Sequence, residues 1–319
     1  TADSLLSAKY DEPGIAAASA AAPADQVMWC VFNDLDPIRT SSIFNCDPIG
    51  LELQSTSWGY KRSGSLGNTI FRRLRMINKG GIDTTAAGPG AKGAFYVDSM
   101  YVGVWADVDV GDASDDLVGC DSAQSLSYIY NGRPSDISYA TFNLPPSSIG
   151  YEFLQGPRVS SAADTAFFNM KKIPGSKNLR MSSAMKWASG DPYSEPVGST
   201  YSRKVGQWWK VLRGFLPLDS LGIVDKLWPN GPFPPSKFPL SGDPVNGSGM
   251  IDGLGLLWSY VMGDQRICPA VGPFSLAPGD TQEVVFSIIG GLGADHLSSI
   301  SAMKVAAQTA KAMHQSLYS

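Results

Sequence analysis

The residues with the clearest chemical potential are six aspartates in one short stretch, "WADVDVGDASDDLVGCD" at residues 105–121. Carboxylate oxygens are the ligands that calcium selects, and Gly111 permits a sharp turn among them. Without a cation, so many carboxylates close together would repel one another and disfavour the folded loop. The sequence therefore predicts a calcium site at the end of a strand, with ligands drawn from Asp107, Asp109, Asp112, Asp115, Asp116 and Asp121.

This stretch does not follow the helix-loop-helix calcium pattern. Its glycine stands one position early, and the twelfth position holds Val118 in place of the bidentate glutamate. Two alternatives remain open at this stage. The carboxylates form a solvated acidic loop, or they pair across a sheet with Arg72, Arg73 or Arg75.

Catalytic motifs are not evident in the chain. The two histidines, His296 and His314, both fall near the C-terminus, and the chain contains no G-x-S-x-G, H-E-x-x-H or P-loop pattern. The glycines of "GPGAKG" at 88–93 match G-x-G-x-x-G, but they lie in a flexible connection between two predicted strands and not at the start of a helix. A carboxylate pair for glycoside hydrolysis could be drawn from Glu52, Asp115 or Asp116, but the sequence does not fix their separation. We therefore expect that the protein is not an enzyme.

The four cysteines lack the paired C-x-x-C spacing of a zinc site. Cys30 and Cys46 bracket a short polar loop, and a disulfide closing it would contribute about 3 kcal/mol in the chain-entropy model. That pairing is the first expectation, and it leaves Cys120 to pair with Cys268. Four cysteines allow three connectivities, and four buried thiols without a disulfide remain the alternative.

Modification and sugar binding are also suggested by short patterns. Asn246 begins an N-glycosylation sequon, and a second acceptor pattern, used by some bacterial O-glycosylation systems, includes Ser99, Ser122, Thr165 and Ser220. Eight tryptophans and twelve tyrosines could form a face that stacks on surface glycans. Aromatic side chains on strands are more often part of the core, so this remains an alternative.

The elements that must position these residues are mostly strands. Alternation of apolar and polar residues with a period of two predicts long antiparallel strands in "VMWCVF", "IGLELQSTSWGY", "NTIFRRLRMINKGG", "YVDSMYVGVWADVD" and "SLSYIYNG". The pattern resumes in "GPFSLAPGDTQEVVFSIIGG" near the end of the chain. These patterns predict a mainly β protein, an immunoglobulin-like antiparallel β-sandwich.

The remaining segments flank or interrupt this sandwich. We expect an N-terminal extension over residues 1–26, a sandwich over 27–293 and a C-terminal helix over 294–319, with Asp295 as its N-cap. A long irregular, partly α-helical excursion is expected at about 156–265, since it is rich in proline and holds the helical pattern "STYSRKVGQWWKVLRGF".

Charge and hydropathy exclude two classes of partner. The formal net charge of −4 and a pI near 5.2 provide no general attraction for nucleic acid. The basic run of Arg72, Arg73, Arg75 and Lys79 alternates with apolar residues, which predicts a polar sheet face. No apolar stretch approaches the ~20 residues that a membrane-spanning helix needs.

An ordered series of motifs resembles a known group of proteins. The series consists of "DQVMWCVFND", "GLELQSTSWGY", "GNTIFRRLRMINKGG", "DSMYVGVWADVDVGDASDDLVGCDSAQSLSYIYNG", "GYEFLQGP", "KFPLSGDPVNGSG" and "GPFSLAPGDTQEVVFSIIGGLGADHLSSISAMK". From about Asp25 onward, the chain resembles the large secreted surface proteins of bacteria that export through type IX secretion. The resemblance implies an extracellular, β-rich, structural or adhesive protein, and it transfers no catalytic residues.

These observations predict an extracellular structural subunit at the cell surface that assembles with copies of itself into a fibre or layer. Edge strands, the N-terminal segment and the small-residue C-terminal helix are the expected joints. The alternative is a calcium-dependent adhesion or glycan-binding module, in which aromatic side chains line an exposed groove.

Overall fold

The computed structural model describes residues 24–36, 38–40, 46–81, 94–188, 195–196, 201–217, 225–254 and 262–316. The predicted N-terminal extension therefore lies almost wholly outside the described residues, as does the acceptor candidate Ser220. The described chain forms two antiparallel sheets that pack face to face, with a helix on the outer face of the larger sheet. The predicted β-sandwich with a C-terminal helix is confirmed.

The larger sheet has seven strands in the order β1-β2-β3-β15-β8-β7-β6. All neighbouring pairs are antiparallel. In that spatial order the strands are Gln26–Asn33, Leu51–Gly59, Thr69–Asn78, Thr281–Gly291, Ser148–Gln155, Leu126–Asn131 and Asp116–Asp121.

The smaller sheet has the order β11-β14-β4, and the short strand β5 also pairs with β14. These strands are Met181–Ala188, Gln265–Leu276, Val97–Gly103 and Ala106–Asp107. One continuous strand was predicted over residues 96–109, but the structure divides it into β4 and β5. Trp105 lies between the two strands and is exposed.

The region predicted as an excursion is not wholly outside the sandwich, because it supplies β11 of the smaller sheet. It also contains two hairpins and the helix α2, which begins at Tyr201 and ends at Leu212. The hairpins are formed by β9 with β10 and by β12 with β13, whose bounds are Arg158–Phe168, Lys171–Asn178, Trp228–Asn230 and Phe233–Ser236. A short helix, α1, spans Ile137–Ala140.

The main core lies between the two sheets. Phe153 and Phe286 of the larger sheet stack edge to face with ring centroids 6.4 Å apart. They pack in the same buried cluster as Val271, Phe274 and Leu276 of β14. This interior is where the alternating strand pattern of the sequence directs one face of each strand.

The helix α3 spans His296–Ser316 and covers the opposite face of the larger sheet. Its start is fixed as predicted, because the Asp295 carboxylate accepts a hydrogen bond of 2.7 Å from the Ser298 amide. Ile300, Met303 and Ala307 are fully buried beside strands of the sheet. The apolar stripe of α3 is therefore used within its own chain, so this stripe is not the joint between copies that the sequence suggested.

The basic run does not form the single polar sheet face that the sequence predicts, because Arg72 lies on the opposite face of β3 from Arg73 and Arg75. Arg73 and Glu283 form an ion pair at 3.4 Å, and each side chain is only 2% exposed. Arg75 lies 3.7 Å from the same carboxylate, whereas Arg72 donates to Ser55. Glu283 is thus the anionic partner of Arg73 and Arg75, whereas the arginines that approach the acidic stretch at 105–121 are Arg133, near Asp115, and Arg266, near Asp107.

Candidate functional site

Strand β1 forms an edge of the larger sheet with apolar side chains on both faces. Met28, Trp29, Val31 and Phe32 are all exposed. Only Val27 packs into a buried cluster, next to Trp58. Within the described chain, neither the smaller sheet nor α3 buries the rest of this strand.

Among the described strands, none pairs with the outer side of the β1 backbone. The Asp34 amide donates to the Leu51 carbonyl, so Asp34 and Leu51 form a hydrogen-bonded pair. Along an antiparallel ladder, hydrogen-bonded pairs alternate with non-bonded pairs. The backbone amides and carbonyls of the even-numbered residues of β1 therefore form hydrogen bonds to β2. The amides and carbonyls of Val27, Trp29, Val31 and Asn33 point away from the sheet.

The opposite edge of the sheet is protected, which distinguishes it from β1. The Cys120 amide of β6 donates to the Leu240 carbonyl at 3.0 Å, and the Val118 amide donates to the Asp252 carboxylate at 3.0 Å. By contrast, β1 has the sequence QVMWCVFN, without a charge or a proline. Charges, prolines and covering loops are the usual devices that prevent edge-to-edge pairing.

The six predicted calcium ligands do not converge on one point, which corrects the predicted ligand set. Asp107 and Asp109 come together with Asp264, and one carboxylate oxygen from each lies within 4.8 Å of the others. Asp264 was missed because it is far away in sequence. The pairing of β5 with β14, which places Asp107 opposite Arg266, brings it to the cluster.

Arg266 already neutralises part of this surface cluster. Its Nη2 atom lies 3.3 Å from Asp107 and 3.0 Å from Asp264. A calcium ion would have to compete with this guanidinium for both carboxylates. The donor set of three carboxylates is chemically suited to calcium, but six to eight oxygen ligands are usual.

The next three aspartates support the loop instead of facing the cluster. Asp112 accepts a hydrogen bond from the Ser114 amide and begins a short 3-10 helix, Ala113–Asp115. Asp115 accepts from Asn131 at 2.6 Å, and Asp116 accepts from the Val110 amide at 3.0 Å. Burial is the main cause that raises the pKa of Asp116 to about 7.

Two further residues complete this arrangement. Asp136, which sequence analysis missed, accepts hydrogen bonds from the amides of Asp112, Ser138 and Tyr139. Gly111 has a φ of +83°, and a Cβ there would lie 2.4 Å from Asp136 Oδ1. Asp121 is separate, since it accepts from the Gln124 amide in the turn between β6 and β7. Asp112, Asp121 and Asp136 thus hold backbone amides, whereas Asp115 bonds to the Asn131 side chain. Asp116 holds the Val110 amide with one oxygen, while its Oδ1 is buried without a hydrogen-bond partner among the described residues.

Glu52 and the pair Asp115 and Asp116 cannot act together in glycoside hydrolysis. Glu52 lies on β2 and pairs with Lys79 at 3.2 Å, whereas Asp116 begins β6. Five strand-to-strand steps separate β2 from β6 in the sheet, which is about 24 Å. Hydrolysis requires carboxyl groups roughly 5 to 9.5 Å apart.

The predicted disulfides are wrong, because none of the four cysteines is disulfide-bonded. Cys120 faces the core between the sheets, whereas Cys268 packs with Met185 and Trp187 on the side of the smaller sheet that faces α2. The smaller sheet therefore lies between the two thiols. Cys30 is exposed on β1, and Cys46 lines a cavity beside α2.

This arrangement predicts that the thiols differ sharply in reactivity. Burial raises the pKa of Cys268 to about 12 and raises that of Cys120 further, so both should resist alkylation in the native protein. Exposed Cys30 should be modified rapidly. Alkylation followed by peptide mass spectrometry measures this, and a peptide pair linked through Cys120 and Cys268 would contradict it.

The glycosylation candidates differ in accessibility. Ser122 and Thr165 are exposed, and Asn246 is exposed in a turn where its side-chain amide donates to Asp243. Ser99 is only half-buried but has a left-handed backbone, with a φ of 52°. These four positions stay predicted acceptors.

Comparison with known proteins adds no assignment. The chain matches no protein-family model, and no curated protein is similar to it. The resemblance to type IX-secreted surface proteins therefore stays a prediction. None of the helices in the described residues combines the length and the apolar character needed to cross a lipid bilayer.

A second surface feature is a cavity of about 700 Å³ between α2, the smaller sheet and the segment that precedes β2. Its walls include Trp105, Trp208 and Trp209. Trp105 is 45% exposed and Trp209 is 39% exposed, so large aromatic surfaces remain accessible. The sequence indicated an aromatic-rich protein, but it did not indicate that these three tryptophans share one cavity.

Proposed function

We propose that this protein is an extracellular structural subunit that assembles with copies of itself, beginning at strand β1. The observation that carries the proposal is that no described strand pairs with the outer side of β1, while exposed apolar side chains lie on both faces of this edge. A strand of this kind is a template for another strand. The extracellular location rests on the sequence resemblance alone.

The partner strand that fits best is β1 of a second copy. An antiparallel β1-to-β1 contact would join two seven-stranded sheets into one, with a two-fold axis between the copies. Exposed Trp29 and Phe32 would then gain cross-strand neighbours on opposite faces. Such a contact satisfies the outward amides and carbonyls and removes apolar surface from water at the same time.

A two-fold contact closes on itself, so a fibre or layer needs a second contact. The predicted contact through residues 1–24 falls almost entirely outside the described residues and stays a prediction. Sedimentation velocity and electron microscopy of the purified full chain test the proposed function. Dimers or larger regular assemblies are expected, and a monomer at all concentrations would contradict it.

A calcium-dependent adhesion or glycan-binding module is the second candidate. The cluster of Asp107, Asp109 and Asp264 favours its calcium part. On this alternative, saturating calcium should raise the melting temperature by about 5 °C or more relative to chelator. Asp109→Asn should abolish the increase, while Asp121→Asn should retain it. Equal melting temperatures would exclude the site and leave Asp107 and Asp264 as partners of Arg266.

A further inference from the structure

The tryptophan-lined cavity has a size and a composition typical of small-molecule sites. Its volume of about 700 Å³ falls within the range of roughly 300 to 1,000 Å³ that is common for ligand pockets. Ile49, Val205 and Leu212 extend the apolar wall formed by the tryptophans. An apolar body of a ligand would therefore displace water from a mainly apolar surface.

The charged groups of the lining all have one sign. Asp47 and Glu195 contribute carboxylates, and none of the described lining residues is basic. The field of Glu195 reaches the wall of the cavity, because it adds to burial in raising the pKa of the lining thiol of Cys268. A cation entering this cavity would meet the carboxylates of exposed Asp47 and half-buried Glu195, and the charge of Glu195 also acts on Arg266.

The aromatic rings act in the same direction. The face of an indole ring carries negative partial charge and attracts cations. The Trp209 ring already holds a cation of the protein, since the Arg213 guanidinium carbon lies 5.5 Å from its centroid, so a ligand cation would rely on Trp105 instead. Trp105 offers an exposed indole in the same cavity.

We propose that this cavity binds a small organic cation, an ammonium ion that carries methyl or other apolar substituents. The tryptophans would contact the substituents, while Asp47 and Glu195 would balance the charge. A neutral sugar fits less well, because a glycan needs several hydrogen-bond donors and acceptors for its hydroxyl groups, and the walls are mainly apolar. This site is separate from β1 and does not depend on assembly.

The test compares choline with 3,3-dimethylbutan-1-ol, a neutral molecule of nearly the same shape, by isothermal titration calorimetry on the full chain. Choline should bind saturably at millimolar concentrations and about tenfold more tightly than the alcohol. Glu195→Gln should weaken choline binding by about tenfold and leave the alcohol unaffected. Asp164→Asn, which removes an exposed carboxylate on β9, is the matched control and should change neither value.

Trp105→Leu provides a second variant that keeps the carboxylates and removes an exposed indole. It should also weaken choline binding. Thermal melting of each variant verifies that the fold is retained. Three results would overturn the proposal: no binding of choline, equal binding of choline and the alcohol, or saturable binding of a cello-oligosaccharide in the absence of choline binding. The last result would assign the cavity to glycans.

Discussion

Replacing Val31 with lysine is expected to abolish the assembly proposed for this chain and leave it monomeric. Val31 lies on the outward side of the β1 backbone ladder, and its side chain is 51% exposed in the single chain. In a pair of β1 strands the new ammonium groups would be brought close together and partly desolvated. That should weaken association by about 100-fold, or roughly 3 kcal/mol, which sedimentation velocity can measure.

The chain provides a matched control for this substitution. Val305 on α3 is 56% exposed, so Val305→Lys makes the same chemical change at a similar exposure and away from β1. It should leave assembly unchanged. Loss of assembly in Val305→Lys with retention in Val31→Lys would move the joint to the helix and contradict the role proposed for β1.

The second large effect concerns the stability of the fold at alkaline pH. Glu152 of β8 is completely buried near α3, where the Lys311 ammonium lies 4.0 Å away. Neither of its carboxylate oxygens has a hydrogen-bond partner among the described residues. Burial is the main cause that raises the pKa of Glu152 from 4.5 to about 8, and Lys311 opposes the rise.

The sign of the pH effect follows from this raised pKa. Between pH 4.5 and about 8 the unfolded chain has released the Glu152 proton while the folded chain retains it, so the free energy of unfolding falls as pH rises. Asp116 acts in the same direction up to about pH 7. Burial lowers the pKa of His314 from 6.5 to about 3, so below pH 6.5 this histidine instead removes stability as pH falls.

We therefore expect maximum stability at about pH 4 and a loss at higher pH that steepens above pH 6.5, where His314 no longer offsets part of it. Glu152→Gln should make this alkaline loss smaller by about 2 kcal/mol between pH 6.5 and 8.5, measured by urea unfolding at each pH. Glu52→Gln removes a carboxylate from β2 of the same sheet and should keep the wild-type slope. A Glu152→Gln curve parallel to the wild-type curve would refute this origin of the pH dependence.

The strand pattern could be predicted from the sequence because it is a local property. The alternation around Trp58 and Phe71 reports which side chains enter a core, and the structure buries both. The burial of Arg73 could not be predicted in this way. Its burial depends on α3, which begins more than two hundred residues later in the chain, and on Glu283 of a neighbouring strand.

The candidate sites depended even more on contacts between distant segments. Asp107 was predicted as a ligand, but its neighbour Asp264 became recognisable only through the pairing of β5 with β14. Asp115 and Asp116 were predicted as ligands because the sequence shows a dense run of carboxylates but not the donors that they accept from, which are the Asn131 side chain and the Val110 amide. For β1, periodicity predicted a strand, but its position at the edge of the described sheet depends on the strand order.

The most direct test of the β1 contact is residue-resolved hydrogen exchange in dilute and assembled protein. The amides of Trp29 and Val31 point outward, whereas those of Cys30 and Phe32 already bond to β2 and serve as internal controls. Assembly should slow exchange at Trp29 and Val31 and leave Cys30 and Phe32 almost unchanged. Unaltered exchange at Trp29 and Val31 in assembled protein would contradict the account.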